Sequence, residues 1–583
     1  MLRHRPSTVL RVLGDDRRNK AIAPHALGHM VRRDIGPMEG VKALDSNSTT
    51  RDGAKLPEAA APWRIYTEPA QSMGQPLKLL RWLAVGLVAA GVTGRLVRYF
   101  LQFPIWGDEA FVCFNLLDRD FAGMMGGLEY GQVAPILFLW AELAITRLLG
   151  ISELAMRLLP LLAALASLGL FWRLAWSTVP PLAALFAVGL LSVARWPVTM
   201  GAFVKPYSFD LLMALVLLVP AVEWLRRPQQ LHWMIVLVLA TPVAILGSYP
   251  AVFIACSVSL ALLPTAWRSS WAGRSLFIAY NVLAAATFLT MYAIVGRGQQ
   301  APWLLEYWAD ALPPWPLWPL AKWLVLIHTG QLMAYPIGGS DGASIVTALL
   351  FGFGVWTWWK GDRRWLLVLW LTPFALTMMA ATLHLYPYGI ARLSQHLAPA
   401  VCLLAGTGIA TLLHRLVPSD ALRLRRTFAI SAVLGLCAVG GLVMDVVRPY
   451  RDPETRWLQQ LAGSILGRLE PGDQLVVVQD RYNVALPFRW YLESQYREVR
   501  WQGRIDPDWL PAENNHLLTV NFWIHRSTDA SVRPTFEEPA ANGWTPVEQI
   551  PFMTRGGNGE WTFHAELSRW APPPQQGKPG AQR

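Results

Sequence analysis

Apolar runs long enough to cross a bilayer recur along this chain, and no other feature limits its fold so strongly. A hydrocarbon core about 30 Å thick takes roughly 20 residues of helix, and its lack of water forces every backbone group to be satisfied within the segment. Runs of this kind lie at 80–101, 155–175, 180–198, 207–224, 232–247, 250–266, 275–295, 343–359, 365–384, 397–413 and 427–444. They predict an all-α polytopic membrane protein with about eleven transmembrane helices. The composition agrees: of 583 residues 53% are hydrophobic and only 15% charged. Lys and Arg exceed Asp and Glu by 51 − 39 = 12. The excess is scattered between apolar runs rather than massed on one soluble face, which argues against a nucleic-acid partner.

The scattered basic residues give the orientation, because loops on the cytoplasmic side of a membrane hold the Lys and Arg. With eleven crossings, Arg173, Arg226, Arg227, Arg268, Arg274, Lys360, Arg363, Arg364, Arg415, Arg423, Arg425 and Arg426 all fall on one side. The run at 133–149 is left out of the count. Taking it as a span would move every later basic loop outward, so it is expected to lie along the outer surface as a juxtamembrane helix. Arg95 and Arg98, near the outer end of the first span, break the rule and are expected to snorkel to the headgroups.

Residues 1–78 are polar and basic, with no apolar core of signal-peptide type, and read as a disordered cytoplasmic tail. A start at Met73 explains the same segment equally well. The membrane domain then covers 79–444. A small extracytoplasmic α/β domain is expected over 445–569, and a disordered tail over 570–583. In that domain Asp452 caps a helix with Pro453 at its first position, and QLVVVQ, LLTVNFWI and EWTFHA read as strands. The four cysteines, Cys113, Cys256, Cys402 and Cys437, lie far apart. They form neither a disulfide framework nor a metal-ligand spacing, so no metal site is assigned.

The same threading sorts the residues that can carry chemistry. FPIWGDEAFVCFNLLDRD (103–120) follows the first span and sets Asp108 beside Glu109. On a helix neighbours point roughly 100° apart, so one acid can cap the helix while the other faces a cavity. VKPYSFD (204–210) contributes Lys205, Tyr207 and Asp210, GSYPAVF (247–253) contributes Tyr249, and HLYPYGIARLSQH (384–396) contributes Tyr386, Tyr388 and Arg392. All are expected outside. Each also has a plainer reading: Lys205 as a snorkelling anchor, Asp210 as a cap, Tyr249 as a turn residue, and the tryptophans of 302–323 as an interfacial belt. Asp210 opens a span, where a charge costs about 2.5–3.5 kcal/mol, which favours a partner or a role. Arg392 lies at headgroup level, where a guanidinium suits a phosphate.

Together these segments resemble the type-C membrane glycosyltransferases, and among them bacterial family 39, which includes protein mannosyltransferases and lipid A aminoarabinose transferases. The acidic pair, GISELAMRLLPLLAALASL (150–168), VKPYSFD, GSYPAVF and YPYGIARLSQHLAPA carry the likeness, and PGDQLVVV (471–478) is similar to the outer domain of such proteins. One position departs: aminoarabinose transferases have Lys before the proline of the surface helix, where this chain has Ala134 before Pro135. The resemblance implies an inverting transfer from a polyprenyl-phosphate sugar donor to a glycan, lipid or protein acceptor. Asp108 would be the general base, with Glu109 beside it, and Arg392 with Lys205 would meet the leaving phosphate. A divalent cation is left open, since relatives differ; no other cofactor is implied. Independently, the chain has no Gly-rich nucleotide cradle and its acids lie outside, so a donor there has to arrive on a lipid. The competing reading is a transporter or flippase for a lipid-linked saccharide. It calls for inverted repeats and midplane ionisable residues, and the sequence shows neither. A noncatalytic scaffold would leave five outer loops of matched character unexplained.

Overall fold

The computed structural model of the protein describes residues 74–300, 303–361, 364–471, 473–479, 486–496, 499–501, 516–526, 539–555 and 561–572. Of the expected tails at 1–78 and 570–583, residues 1–73 and 573–583 lie outside the described residues, while 74–78 open the first helix and 570–571 close the last strand. Ten of the eleven apolar runs each fall on one main helix, and the run at 180–198 is divided between two. The first half of the chain gives α1 (Gly74–Phe100), α2 (Gly107–Asp118), α3 (Ile136–Leu149), α4 (Glu153–Thr178), α5 (Pro181–Val193), α6 (Arg195–Met200), α7 (Tyr207–Arg226), α8 (His232–Gly247) and α9 (Ala251–Arg268). Then come α10 (Trp271–Met291), α11 (Trp303–Tyr307), α12 (Leu317–His328), α13 (Ile345–Lys360), α14 (Leu366–Thr382), α15 (Ala398–Leu416) and α16 (Asp420–Val447). Among the described residues, seven helices are long and apolar enough to cross a membrane: α1, α4, α7, α9, α10 and α16, and α15 together with the turn before it. α5, α8 and α14 are apolar but only 13, 16 and 17 residues long. α3, at 14 residues, spans about 21 Å and is too short to cross.

Close helix crossings rest on glycine. A Cβ on Gly354 of α13 would lie 1.9 Å from the Leu404 carbonyl oxygen of α15, and one on Gly408 of α15 would lie 2.0 Å from that of Leu350. Only bare backbone permits this approach, and in lipid such contact replaces the hydrophobic drive that water supplies elsewhere.

Two expectations need correction. The run at 180–198 is not one helix: α5 stops at Val193, Ala194 is extended (φ −64°, ψ 130°), and α6 begins at Arg195. The break leaves carbonyls without helical partners, and Arg95 supplies one donor, its Nη1 lying 2.8 Å from Ser192 O and 2.9 Å from Gly91 O. Arg95 is 1% exposed. Arg98 is buried as well, its Nη1 2.5 Å from Asp445 of α16 and its guanidinium over the Phe103 ring at 3.8 Å. Neither arginine snorkels; both are ties between helices.

After α16 comes an α/β unit: α17 (Pro453–Leu466), β1 (Gln474–Gln479), α18 (Leu486–Glu493), β2 (Arg500–Trp501), β3 (Leu517–Arg526), β4 (Thr545–Arg555) and β5 (Trp561–Ala571). Asp452 caps α17 as expected, accepting from Thr455 N at 2.8 Å. The sheet order is β2-β1-β3-β5-β4, parallel across β2, β1 and β3 and antiparallel across β3, β5 and β4. The three strands read from sequence are β1, β3 and β5. β4 escaped because Pro546 and Pro551 interrupt it, and its place at the sheet edge is what lets it carry them.

The sidedness read from charge can be tested at exposed positions. In intact cells Arg227→Cys and Gly361→Cys should resist a membrane-impermeant thiol reagent, while Ser340→Cys should react; the reverse pattern would put the Asp108 end of the bundle in the cytoplasm.

Candidate functional site

α2 starts where the extended stretch 103–106 delivers the chain, and its first turn carries both acids. They go to different places. Glu109, 1% exposed, points into the bundle. Its carboxylate receives Nε and Nη2 of Arg157 on α4 at 3.2 and 3.0 Å, the Val204 N–H at 3.0 Å, and the N–H of Trp106, the N-cap residue of its own helix, at 3.2 Å. Arg157 also donates to Phe103 O at 2.5 Å. Every acceptor direction of Glu109 is thus taken, and a carboxylate so bound has no lone pair free for a substrate.

Asp108 faces the other way. Its Oδ1 lies 2.9 Å from Lys205 Nζ and its Oδ2 3.1 Å from Arg392 Nη1. Lys205 is 5% exposed and its ammonium also donates to Gln132 Oε1 at 2.5 Å. Burial alone would push the Asp108 carboxyl up, but Lys205 and Arg392 outweigh it and hold it below the usual carboxylate range. Arg451, on the link between α16 and α17, adds to the same field and lies 3.3 Å above the Trp106 ring. Arg392 completes the stack, 5.8 Å from Trp106 and 5.1 Å from Trp308.

Trp106, Trp308, Arg392 and Arg451 line a cavity of about 1090 Å³, and Asp108 meets it through Arg392. Its lining holds six arginines, Arg98, Arg157, Arg195, Arg392, Arg448 and Arg451, against four carboxylates, Glu109, Asp310, Asp341 and Asp445. Two of the arginines are neutralised in the buried pairs with Glu109 and Asp445. The rest leave the wall electropositive, and a cavity of that charge concentrates anions. Part of the lining comes from residues within 307–314 and from Trp323, and between them Trp315 and Trp318 are 74% and 79% exposed.

The remaining sequence candidates divide. Tyr207 packs with Met200 and Phe203 beside Trp106, close behind Asp108. Asp210 is buried and accepts from Ser248 Oγ at 2.7 Å, so its partner is a hydroxyl. Tyr386 donates to Leu393 O at 2.9 Å in the loop that carries Arg392. Tyr388 pairs with His328 Nε2 at 2.9 Å. Tyr249 lies apart, its hydroxyl 2.7 Å from Gln299 Oε1, and that same amide grips the backbone of Ala134 at 3.1 Å.

Sequence reasoning gave no role to Gln132, Arg157 or Arg451. Arg157 carried a signal, a charge in the first turns of a span, which demands a partner just as Asp210 did. Gln132 and Arg451 carried none, because their importance comes from long-range contact. In the C-terminal unit Glu470, Asp473 and His516 converge within 4.8 Å. Arg569 Nη2 stands 2.9 Å from Glu470 and 3.0 Å from Asp473, where a cation would have to sit.

No protein-family model and no curated protein sequence matches the chain. Among solved structures it is similar to ArnT from Cupriavidus metallidurans bound to undecaprenyl phosphate, with 15% identity over 82% of this chain and 97% of that one, and a TM-score of 0.48. The apo state of the same ArnT gives 16% identity, 83% and 98% coverage and a TM-score of 0.46. An Archaeoglobus fulgidus oligosaccharyltransferase gives 10%, 71%, 64% and 0.39.

The division of labour between the acids has a measurable consequence. Glu109→Ala strands the buried Arg157 and should cost about 3–5 kcal/mol, seen as a large fall in melting temperature in detergent. Asp108→Asn, at a partly exposed carboxylate, should melt close to the wild type.

Proposed function

We propose that the protein is an integral membrane glycosyltransferase that moves a sugar from a polyprenyl-phosphate donor to an acceptor on the extracytoplasmic side, with inversion. The observation that carries this reading is Asp108 held between Lys205 and Arg392, of which Arg392 lines the arginine-rich cavity. A carboxylate locked by two cations is a weak base, while the cations are those a phosphate would claim. Donor binding draws Arg392 and Lys205 toward the phosphate, frees Asp108 and raises its basicity. Asp108 then takes the proton of the acceptor hydroxyl or amine. The acceptor atom forms its bond to the anomeric carbon, the bond from that carbon to the phosphate oxygen breaks, and the electron pair leaves on the phosphate, stabilised by Arg392. Glu109 acts one step back, by fixing the turn from which Asp108 projects. Support also comes from the motif resemblance described above.

The binding roles of Tyr207, Asp210, Tyr249, Tyr386 and Tyr388 belong to the same proposal. Tyr207 and Tyr386 support the loops bearing Lys205 and Arg392 and are the stronger members. Tyr249 has its hydroxyl engaged by Gln299 and is the weakest.

The test is transfer of radiolabelled sugar from synthetic polyprenyl phosphate donors to isolated envelope fractions, by purified variants at matched folded concentration. Asp108→Asn should lower turnover by about 10² to 10⁴. Arg392→Lys keeps charge without the planar fork and should reduce transfer, and Arg392→Ala more so. The pH profile separates the roles. Asp108 faces Lys205, Arg392, Arg451 and Tyr207, so removing one cation lets its carboxyl rise. Activity, which needs the ionised form, should then be lost at a higher pH as the solution is acidified in Arg392→Ala, but at the wild-type position in Arg392→Lys. Equal rates for Arg, Lys and Ala at position 392 would remove the phosphate role.

A further inference from the structure

The stretch Phe103–Trp106, which sets where Asp108 stands, precedes the first turn of α2; the Trp106 carbonyl accepts from Ala110 N at 2.9 Å, and three side chains hold the rest of its paired backbone. Arg157 takes the Phe103 carbonyl, Glu109 takes the Trp106 N–H, and the N–H of Ile105 between them donates to the hydroxyl of Tyr491 at 2.7 Å. The first two belong to the membrane bundle. Tyr491 belongs to α18, 386 residues away in sequence, in the α/β unit that follows the last span.

This contact is one of a set. The Tyr491 hydroxyl itself donates a hydrogen bond to Glu153 at the start of α4, one turn before Arg157 on the same helix face. Trp490 meets Phe114 of α2 edge-on at 5.9 Å. Arg489 stands 5.3 Å over the Phe114 ring and donates to Tyr130 at 3.1 Å, and Tyr130 itself packs on Phe111 and Phe114. Three consecutive residues of one short helix therefore all grip α2 or its flanks. Ile105 is fully buried and Tyr491 is 6% exposed, so water does not compete for the bond. An N–H left unpaired there would carry its full desolvation cost.

We infer that the C-terminal α/β unit is a working part of the site, in which Tyr491 is a positioning residue that holds Ile105, and through it Asp108, in register with Lys205 and Arg392. The activity arm of the test rests on the proposed glycosyl transfer; the structural arm does not.

Cys113, fully buried on α2, and Cys402, fully buried on α15, provide an internal comparison in the full-length protein. In Tyr491→Phe, which deletes one oxygen, alkylation of Cys113 should quicken by about tenfold, as expected for the loss of one buried hydrogen bond, while Cys402 stays at its wild-type rate. Turnover should fall by about tenfold with the donor KM unchanged, because misplacement of a reacting group costs rate rather than affinity. Glu153→Gln still accepts the Tyr491 hydroxyl and should keep Cys113 protected. If Tyr491→Phe fails to accumulate, Arg489→Gln, which loses the bond to Tyr130, is read in the same way. Wild-type labelling of Cys113 in the variant, or equal gains at Cys113 and Cys402, would overturn the inference. Faster labelling of Cys113 alone, with no transfer by the wild-type protein from any donor, would sustain the positioning role and sink the transferase.

Discussion

The pair between Glu109 and Arg157 is the joint on which the charged end of the bundle is built. Both side chains are 1% exposed, and two ions taken out of water at such a place repay their desolvation only when the remaining hydrogen-bonding capacity is also filled. Here it is filled by backbone from two separate segments: Phe103 and Trp106 before α2, and Val204 before α7. The pair converts a cost into geometry. It brings the turn bearing Asp108 against the turn bearing Lys205, although 97 residues separate the two.

Several other buried polar groups of the bundle have a dedicated partner, though Glu142 on α3, fully buried, has no hydrogen-bond partner among the described residues. Arg98 has Asp445, Arg95 has the Ser192 carbonyl at the end of α5 and the Gly91 carbonyl of its own helix, and Asp210 has Ser248. Arg195, Arg448 and Arg451 differ from these in lining the cavity with no carboxylate bonded to them among the described residues. Cations so placed raise the local concentration of anions. The cavity draws its chemical character from that imbalance more than from its size.

The α/β unit bears on the site through two routes of different kind. Arg451, on the short link between α16 and α17, reaches it by standing over the Trp106 ring. Residues 489–491 reach it by packing on α2. A sheet that merely followed the last span would need neither contact, and its removal would leave the backbone of Ile105 without a partner.

How much of this was legible beforehand depends on the range of the interaction concerned. All eleven apolar runs became helical, the one at 180–198 in two pieces, and Asp452, β1, β3 and β5 fell where expected, because bilayer thickness, capping and strand alternation act over a few residues. The composition of the loops likewise pointed to Asp108, Lys205 and Arg392, since unusual residues in an apolar chain stand out singly. What the order of residues did not contain was the difference between two adjacent acids. Asp108 and Glu109 are chemically alike and one peptide bond apart, and only Arg157, Val204 and Trp106, brought together by the packing of α2, α4 and α7, consume the second and leave the first turned to the cations. The same holds for Arg95 and Arg98, which sequence alone sent to the headgroups and which the helix crossings bury. Local pattern determined the elements and the residues able to do chemistry; tertiary contact decided which of them are strut and which are site, because burial and hydrogen-bond satisfaction are properties of neighbours that the chain does not list in order.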